Sequence, residues 1–436
     1  MSDIKVAVIG AGIGGLTFCV ALGKQSSIKM DLYEAAHEFG EIGAGIGMWD
    51  RTQQIMEKLG LQDDLAALEG SKKGNAGAFH FRKSDQPKGL SFYDMKATGS
   101  MLLLHRASFQ KTIINHLPPT CTSHFGKRLV SYEDPASGPI TLHFNDGTTA
   151  ECDLLIGADG IKSPVRATLV SDLAKEGKIT KEEAAQPNPV WSGTVAYRGL
   201  IPKERLEAKA PGHRALTEDY CGKNKHLVIF PINKGALINV VAFCSDPSKE
   251  GTQYSENSKE WVVDVPKEEL LRQYEGWEPE VTALLECIDK PSRWAINVAQ
   301  KMSTFVSGRV AILGDSAHAM TPHLGSGAGQ AIEDAYVLGT LLANQKCTRS
   351  SLPSVLQIYD QVRRPKANEV WHLSRTSGSI YEFGGAGCEN VGMCDDNVSS
   401  EMLAKIGKEA EEHCEWAWKT SAEEDREQAV SMLSKL

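Results

Sequence analysis

Lys5-Val-Ala-Val-Ile-Gly10-Ala-Gly12-Ile13-Gly14-Gly15-Leu narrows the choice of fold more than any other stretch. The apolar run reads as a buried strand, the glycines as a tight turn, and Leu16 onward as a helix. Met30-Asp-Leu-Tyr-Glu34 follows as a second strand closing on an acid. This is a βαβ unit carrying G-x-G-x-x-G in its proper context. Gly10, Gly12 and Gly15 permit the turn, close approach to a pyrophosphate and helix–strand packing; Ile13 and Gly14 lie inside the same turn. Glu34 would accept from the ribose hydroxyls of an adenine dinucleotide. An acid rather than a basic residue there fits an unphosphorylated ribose, so FAD or NAD rather than NADP. The bare alternative is a βαβ unit that binds nothing.

Two later stretches repeat the strand-to-loop pattern. Cys152-Asp-Leu-Leu-Ile-Gly157-Ala-Asp159-Gly160 is a strand running into a turn, and a helix then starts with Ser163 as cap and Pro164 first. Val310 to Leu313 is another short buried strand, ended by Gly314-Asp315. That places a carboxylate at a strand's carboxyl edge, where open α/β sheets hold ligands. Pro322 and the glycines at 325, 327 and 329 then bring bare backbone close to something flat or anionic. From Gly329 the pattern turns helical, with Ala331, Ala335, Leu338 and Leu342 on one face.

Between these stretches, Glu41 to Met48 is expected to be a second glycine-rich loop, including Gly47, that lies over a ligand. Arg51 to Leu65 reads as one helix with Ile55, Leu59 and Leu65 on one side. Gly70 to Lys88 is polar and glycine-rich, and Gly89 to Tyr93 is strand-like. Arg106 opens a helix after the apolar Leu102-Leu-Leu and suits a bidentate contact to phosphate or ribose. Lys127 to Glu133 and Ile140 to Thr148 alternate, with Asp146-Gly147 as a hairpin turn. A charged, Pro-ended stretch from Val170 to Pro189 precedes strand-like Val195–Leu200, His226–Ile232 and Leu237–Phe243, a second and mostly antiparallel sheet. Lys267 to Ile288 reads as helical. After Asp334 the chain is mainly helical, apart from the glycine-rich Gly384 to Gly392.

The 436 residues call for two cores or one elaborated core. A formal charge of −9 without a basic block argues against nucleic acid. Ten cysteines without a C-x-x-C pair fit reduced thiols, not a disulfide framework or a metal site. No apolar run reaches the roughly 18 residues of a membrane span. Met1-Ser-Asp-Ile-Lys runs straight into the first strand, so no signal peptide and a cytoplasmic location are expected.

Taken together, Gly10–Gly15, Asp159-Gly160 and Gly314-Asp315 resemble, over nearly the whole chain, the single-component FAD-dependent aromatic hydroxylases, the para-hydroxybenzoate hydroxylase superfamily. Pro322-His-Leu-Gly-Ser-Gly-Ala-Gly-Gln-Ala-Ile-Glu-Asp-Ala, Tyr197-Arg198-Gly and Trp416-Ala-Trp418 are similar to the salicylate hydroxylase branch and its fungal relatives. Leu324 stands where bacterial salicylate hydroxylases are expected to carry glutamine, which leaves the substrate open. The resemblance implies an α/β architecture: a Rossmann-like FAD-binding domain (1–75, 101–185 and 296–365) with an inserted, mostly antiparallel β-sheet substrate domain (76–100 and 186–295). A helical C-terminal region (366–436) follows.

The resemblance also implies roles for single residues. Gly10, Gly12, Gly15 and Glu34 would hold the AMP half of FAD, Gly47 and Arg106 would add contacts, and Val130 would lie beside the adenine. Asp315 would meet the ribityl chain and pyrophosphate, and Gly327 and Ala328 would offer N–H groups to the isoalloxazine. Asp159 and Gly160 would serve both FAD and the docking of NADH or NADPH, a transient electron donor. The implied chemistry is attack of a flavin C4a-hydroperoxide, formed with O2, on a phenolic ring made electron-rich by deprotonation. That chemistry needs a general base or a phenolate-stabilising cation. His226 suits the base, since imidazole titrates near neutrality. Arg198 suits the phenolate or a carboxylate, and Pro322 and His323 would line the flavin face.

Phe230 stands where the related dearomatising phenol hydroxylases carry a tyrosine, which favours the histidine. The expected substrate is salicylate, losing CO2 to give catechol, or another hydroxybenzoate without that loss. A monomer or homodimer with no membrane partner is expected. A flavin halogenase would need a Trp-x-Trp-x-Ile-Pro element, whereas Trp416-Ala-Trp418 comes late and continues as Lys419-Thr420. A kynurenine-hydroxylase-like enzyme would carry an apolar tail, and a thioredoxin-bearing phenol hydroxylase a longer one. A non-catalytic FAD-binding redox sensor is the alternative from a different class.

Overall fold

The computed structural model describes residues 4–40, 45–69, 78–99, 101–185, 188–255, 257–385, 387–388, 391–393 and 398–436. Short apolar runs buried on both faces form parallel sheets, and the first sheet is built from such runs. Its strands run, edge to edge, Val306–Ser307, Val310–Ile312, Leu154–Gly157, Lys5–Ile9, Lys29–Tyr33 and Cys121–His124. All pairs are parallel except the Val306–Ser307 edge. Ile9 pairs with Gly157 and Gly157 with Ile312. The residues that follow each of them therefore leave the sheet at one edge.

Helices Ile13–Gln25 and Gly327–Ala343 cross in close contact on this sheet. Gly339 makes the crossing possible, because a Cβ there would stand 3.0 Å from Ala21 Cβ and 3.1 Å from the Leu22 nitrogen. A three-stranded sheet, Leu129–Glu133, Ile140–Phe144 and Thr149–Cys152, stands beside it. Its last turn is the expected Asp146-Gly147, with the Gly147 N–H donating to Phe144 O at 3.0 Å.

The second large sheet has eight strands in the order Val262–Asp264, Ser292–Val298, Val190–Pro202, Leu237–Ser245, Lys225–Ile232, Glu218–Gly222, Ala78–Lys83 and Leu90–Lys96. Every pair is antiparallel save Glu218–Gly222 with Ala78–Lys83. Strand alternation gives it two characters. Tyr197, Leu227, Ile229, Val240 and Ala242 pack with Leu270, Leu284 and Leu285 of the covering helices Lys267–Gln273 and Pro279–Glu286. The opposite face carries Arg198, His226, Val228, Phe230, Asn239, Val241 and Phe243, in the register Arg198–Val241–Val228 and His226–Phe243. Phe230 lies directly against Gly45, where any Cβ would collide with its ring.

Several expected elements come out differently. Arg51–Leu65 is two helices, Asp50–Lys58 and Gln62–Glu69, because Gly60 adopts φ +79° just past the end of the first. Lys267–Ile288 is likewise broken, since Pro279 starts a new helix instead of continuing one. Residues 45–48 of the second glycine-rich loop belong to a strand, Gly45–Trp49, paired antiparallel with Met101–His105. The helix expected from Gly329 begins at Gly327. Residues 41–44 of that loop, 70–77 of the polar stretch, and 386, 389 and 390 of the late glycine-rich segment lie outside the described residues. Among the described residues no helix is long and apolar enough to cross a membrane.

A buried charge cluster joins the helices. Arg363, in the long helix Leu352–Tyr381, donates to Asp334 (2.9 Å), Glu333 (2.9 Å), Asp425 (2.7 Å) and Gln330 (2.7 Å). Arg51 adds bonds to Glu333 (2.7 Å) and Asp425 (3.1 Å), and Lys366 pairs with Asp425. Burial alone would push the Arg363 pKa down, but the three carboxylates hold it above its usual value. Removing one partner of such a cluster leaves charge buried and uncompensated. Arg363→Ala is expected to destabilise the protein by about 3–5 kcal/mol in urea unfolding, and a change under about 1 kcal/mol would show that the cluster adds nothing.

Candidate active site

The loop after Ile9 divides its glycines by task. Gly10 has φ +101°, and its N–H donates to Tyr33 O at 2.8 Å. A Cβ on Gly10 would strike the Ala158 carbonyl, and one on Gly15 the Gly10 carbonyl. A Cβ on Gly12 would meet nothing within 4 Å. Gly12 therefore faces open space, and it stands at the start of helix Ile13–Gln25, which has no acidic residue in its first turn and no side-chain cap. Free helix N–H groups and the helix dipole favour an anion there. The Ile13 side chain is in the core and Gly14 packs under Leu313, so these two can offer a ligand only backbone. Glu34 Oε2 accepts from Ala11 N (2.8 Å) and Oε1 from Ala36 N (2.7 Å), which holds the carboxylate over the loop with lone pairs remaining.

Asp159 and Asp315 leave the two neighbouring strands at the same edge. Ser163 Oγ donates to Asp159 Oδ1 at 2.5 Å and Val165 N to Oδ2 at 3.2 Å. Ser163 also caps its helix, as expected, accepting from Arg166 N at 2.8 Å. Burial raises the Asp159 carboxyl from 3.8 to about 6 against those hydrogen bonds. Asp315 follows Gly314 (φ +61°) and is exposed at the edge. Arg166, which the sequence reading passed over, crosses between the two loops. Its guanidinium donates to the carbonyls of Ala317 (2.9 Å) and Gln300 (2.5 Å), and burial lowers it to about 10.

Around this edge lie the other expected contacts. Gly327 and half-buried Ala328 open the helix Gly327–Ala343. Gly47 sits in its strand against Met101, and half-buried Arg106 opens the helix Arg106–Asn115. Val130 is 57% exposed, an unusual condition for a strand valine and a suitable one for a flat ring. Open space at Gly12, a free helix start, an anchored acid and an exposed valine together fit a dinucleotide.

The sheet face opposite holds the side chains expected to do chemistry. His226 is 2% exposed and stacks on Phe243, with centroids 4.5 Å apart. Its Nδ1 lies 2.9 Å from Glu382 Oε1, and its Nε2 lies 3.3 Å from His323 Nδ1. Glu382, 4% exposed, had no sequence signal beyond being an acid in a helical stretch; it sits just past the end of Leu352–Tyr381. Pro322, next to His323, is exposed. Arg198 shares the face with His226 but not its neighbourhood, for two strand spacings and a two-residue offset, roughly 12 Å in all, separate them. Its guanidinium lies 4.9 Å from the Trp294 ring centroid, in an open cavity of about 500 Å³ also lined by Asn239 and Lys290. Burial, then the charge of Arg106, lowers the Arg198 pKa. Among the described residues Asn239 Nδ2, buried in the same region, has no hydrogen-bond partner.

One glycine-turned edge fit for a dinucleotide, beside a second sheet, defines the class of dinucleotide-dependent oxidoreductases. The FAD binding domain family matches residues 3–374. An FAD-dependent monooxygenase of Strobilurus tenacellus is 33% identical, covering 99% of this chain and 98% of that protein. A salicylate hydroxylase of Pseudomonas putida is also 33% identical, over 99% and 95%. A solved salicylate hydroxylase substrate complex superposes with TM-score 0.82 at 32% identity, over 98% of both chains. The chain belongs to the FAD-binding monooxygenase family and is a flavin-dependent monooxygenase with FAD as its cofactor.

Gly12→Ala is expected to leave apo-protein melting unchanged and to weaken FAD at least about tenfold, read by FAD fluorescence, since the methyl would enter ligand space only. Gly15→Ala should instead fail to fold. Asp159 binds its proton more tightly folded than unfolded. Its contribution to apo-protein stability therefore declines as pH rises from about 4 through about 6. Asp159→Asn should accordingly melt higher than wild type above that window, with the difference vanishing below it.

Proposed function

We propose that this monooxygenase hydroxylates a phenolic acid, with salicylate the leading substrate, at the carboxyl-bearing carbon with release of CO2 and formation of catechol. Bound FAD, reduced by NADH or NADPH, supplies an electrophilic oxygen atom from O2. The observation that carries the reading is a water-poor histidine pair, His226 and His323, backed by a carboxylate on the face of the sheet turned toward the cofactor edge. A phenol donating to this pair loses its O–H proton, and the electron pair stays on the oxygen. That raises electron density at the ring carbons ortho and para to it, one of which bears the carboxylate in salicylate. Burial of His226, His323 and Phe243 keeps water from the reacting carbon.

In this reading Gly12 and the helix start behind it hold the pyrophosphate, Glu34 the ribose, Asp315 the ribityl end, and the N–H groups of Gly327 and Ala328 the flavin ring edge. Gly47, Arg106 and Val130 complete the grip, and Asp159 stands at the donor side. Arg198, roughly 12 Å from His226 by two strand spacings and a two-residue offset, is placed for a carboxylate on the far side of a ring, not for the phenolate. A 6-methylsalicylate 1-monooxygenase of Aspergillus terreus, 31% identical over 99% of this chain, supports the same substrate class. The second reading, favoured by Leu324, is hydroxylation of another substituted phenol without loss of CO2.

Salicylate should stimulate NAD(P)H oxidation and yield catechol by mass spectrometry. A product that has gained oxygen and kept its carboxylate selects the second reading, and no stimulation across a hydroxybenzoate panel removes both. Arg198→Met should raise KM for carboxylate-bearing phenols about tenfold or more, with little effect on phenols lacking the carboxylate.

A further inference from the structure

We propose that the carboxyl of Asp219 sets substrate specificity, accepting a hydrogen bond from a hydroxyl or amino group that stands across the substrate ring from its carboxylate. The inference rests on the phenolic reading above and deepens it, for it narrows the substrate class to salicylates that carry such a donor. The position of Asp219 follows from strand register. Tyr220 pairs with Leu227 and Cys221 with His226, so Asp219 stands level with Val228. The period of two puts Asp219 and Cys221 on the face that carries His226, and Tyr220 on the helix-covered face. Val228 pairs with Val241, and Val241 with Arg198. One row across four strands therefore reads Arg198, Val241, Val228, Asp219, with a cation and an acid at opposite ends of two valines.

The row spans roughly 14 Å, three strand spacings, and Asp219 stands roughly 8 Å from His226, one spacing and a two-residue offset. Arg198, Val241, Val228 and Asp219 are all half-buried, whereas His226, Phe243 and Cys221 beside them are buried. Valines that stay half-exposed between buried neighbours on an inner sheet face line open space. Phe81, which pairs with Asp219, stacks on Tyr381 at 5.5 Å, and Tyr381 lies 5.5 Å from His226. An aromatic wall thus joins the acid to the histidine pair. Burial, then Cys414 and then the charge of Asp219, raise the Tyr381 pKa, as a carboxyl on that side of the sheet must.

What sets Asp219 apart is the lack of a partner. Among the described residues its carboxyl makes no hydrogen bond or ion pair. Asp85, Asp153, Glu278 and Asp360, buried elsewhere in the chain, are all paired. An unpaired acid in crowded apolar surroundings is costly in its charged form. Burial, then Glu218, accordingly raise the Asp219 carboxyl from 3.8 to about 7, with His80 opposing. A carboxyl oxygen accepts hydrogen bonds in either protonation state, so an N–H or O–H of a ligand is the group that satisfies it. The two valines floor the ring, Arg198 takes the carboxylate, the histidine pair the phenol beside it, and Asp219 the substituent opposite.

The test is ligand binding to the FAD-loaded enzyme, read from perturbation of the flavin absorption spectrum. Salicylates bearing a hydroxyl or amino group para to the carboxylate should bind at least about tenfold tighter than salicylate or its para-methoxy analogue, which lack a donor there. Asp219→Leu should abolish that preference, and Asp219→Asn, which keeps an acceptor, should retain part of it. Both variants should melt no lower than wild type as apo-proteins, since no bond within the protein is lost. Lower melting of both assigns Asp219 to the fold and overturns the proposal. A preference absent from the wild type, or surviving in Asp219→Leu, also overturns it and leaves the phenolic reading standing. An Asp219-dependent preference without a hydroxylated product from any of these rings upholds the role of Asp219 and removes the phenolic reading instead. Failure of all four rings to bind the wild type overturns both.

Discussion

The parallel hydrogen-bonded ladder of Lys5–Ile9, Leu154–Gly157 and Val310–Ile312 is the constraint on which the rest depends. Its register places Ile9, Gly157 and Ile312 in one row. Three loops far apart in the chain thus emerge side by side, Gly10–Gly12, Asp159-Gly160 and Gly314-Asp315. Because both faces of these strands are buried, a slip of one residue would misplace every loop and exchange the packing of both layers. Backbone pairing rather than any side chain brings the glycines and acids together. Arg166, in the helix that follows Asp159-Gly160, then bonds the Ala317 carbonyl just past Gly314-Asp315 and the Gln300 carbonyl.

The long helix Leu352–Tyr381 links the two sheets. Three turns into it, Arg363 is locked into the carboxylates of the Gly327–Ala343 helix and of Asp425. Just past its end, Glu382 O accepts from Asn224 N (3.0 Å) and Lys223 Nζ donates to Phe383 O (2.8 Å), both from the turn that precedes the His226 strand. The helix is held by charge in its first half and by hydrogen bonds just past its end. The distance between Glu382 and His226 is therefore set by two anchors outside the histidine pair. A buried charge cluster of this kind costs desolvation, and here it locks the helix to the carboxylates of its neighbours.

The inserted sheet separates its packed face from the face that carries Arg198 and His226 by alternation alone. Tyr197 and Leu227 point into the core beneath the covering helices, while their neighbours Arg198 and His226 face the opposite layer. Val240 and Asn239 divide in the same way.

What the sequence alone determined was local. The strands at 5–9 and 310–312, the Ser163 cap with Pro164, the Asp146-Gly147 turn and the βαβ fingerprint were legible because each depends on chemistry within a few residues. The inserted antiparallel sheet was legible from its period of two. Other features depended on packing between elements. Gly60 splits one apolar periodicity into two helices, and Gly45–Trp49 is a strand only because Met101–His105 lies beside it. Arg363 looks like any helical arginine until the helices of Asp334 and Asp425 close on it. Glu382 meets His226 across 156 residues of chain, and the spacing between His226 and Arg198 follows from strand order. Short-range torsions and hydrogen bonds can be read along a chain. Which buried donor faces which acceptor is decided only when the layers pack.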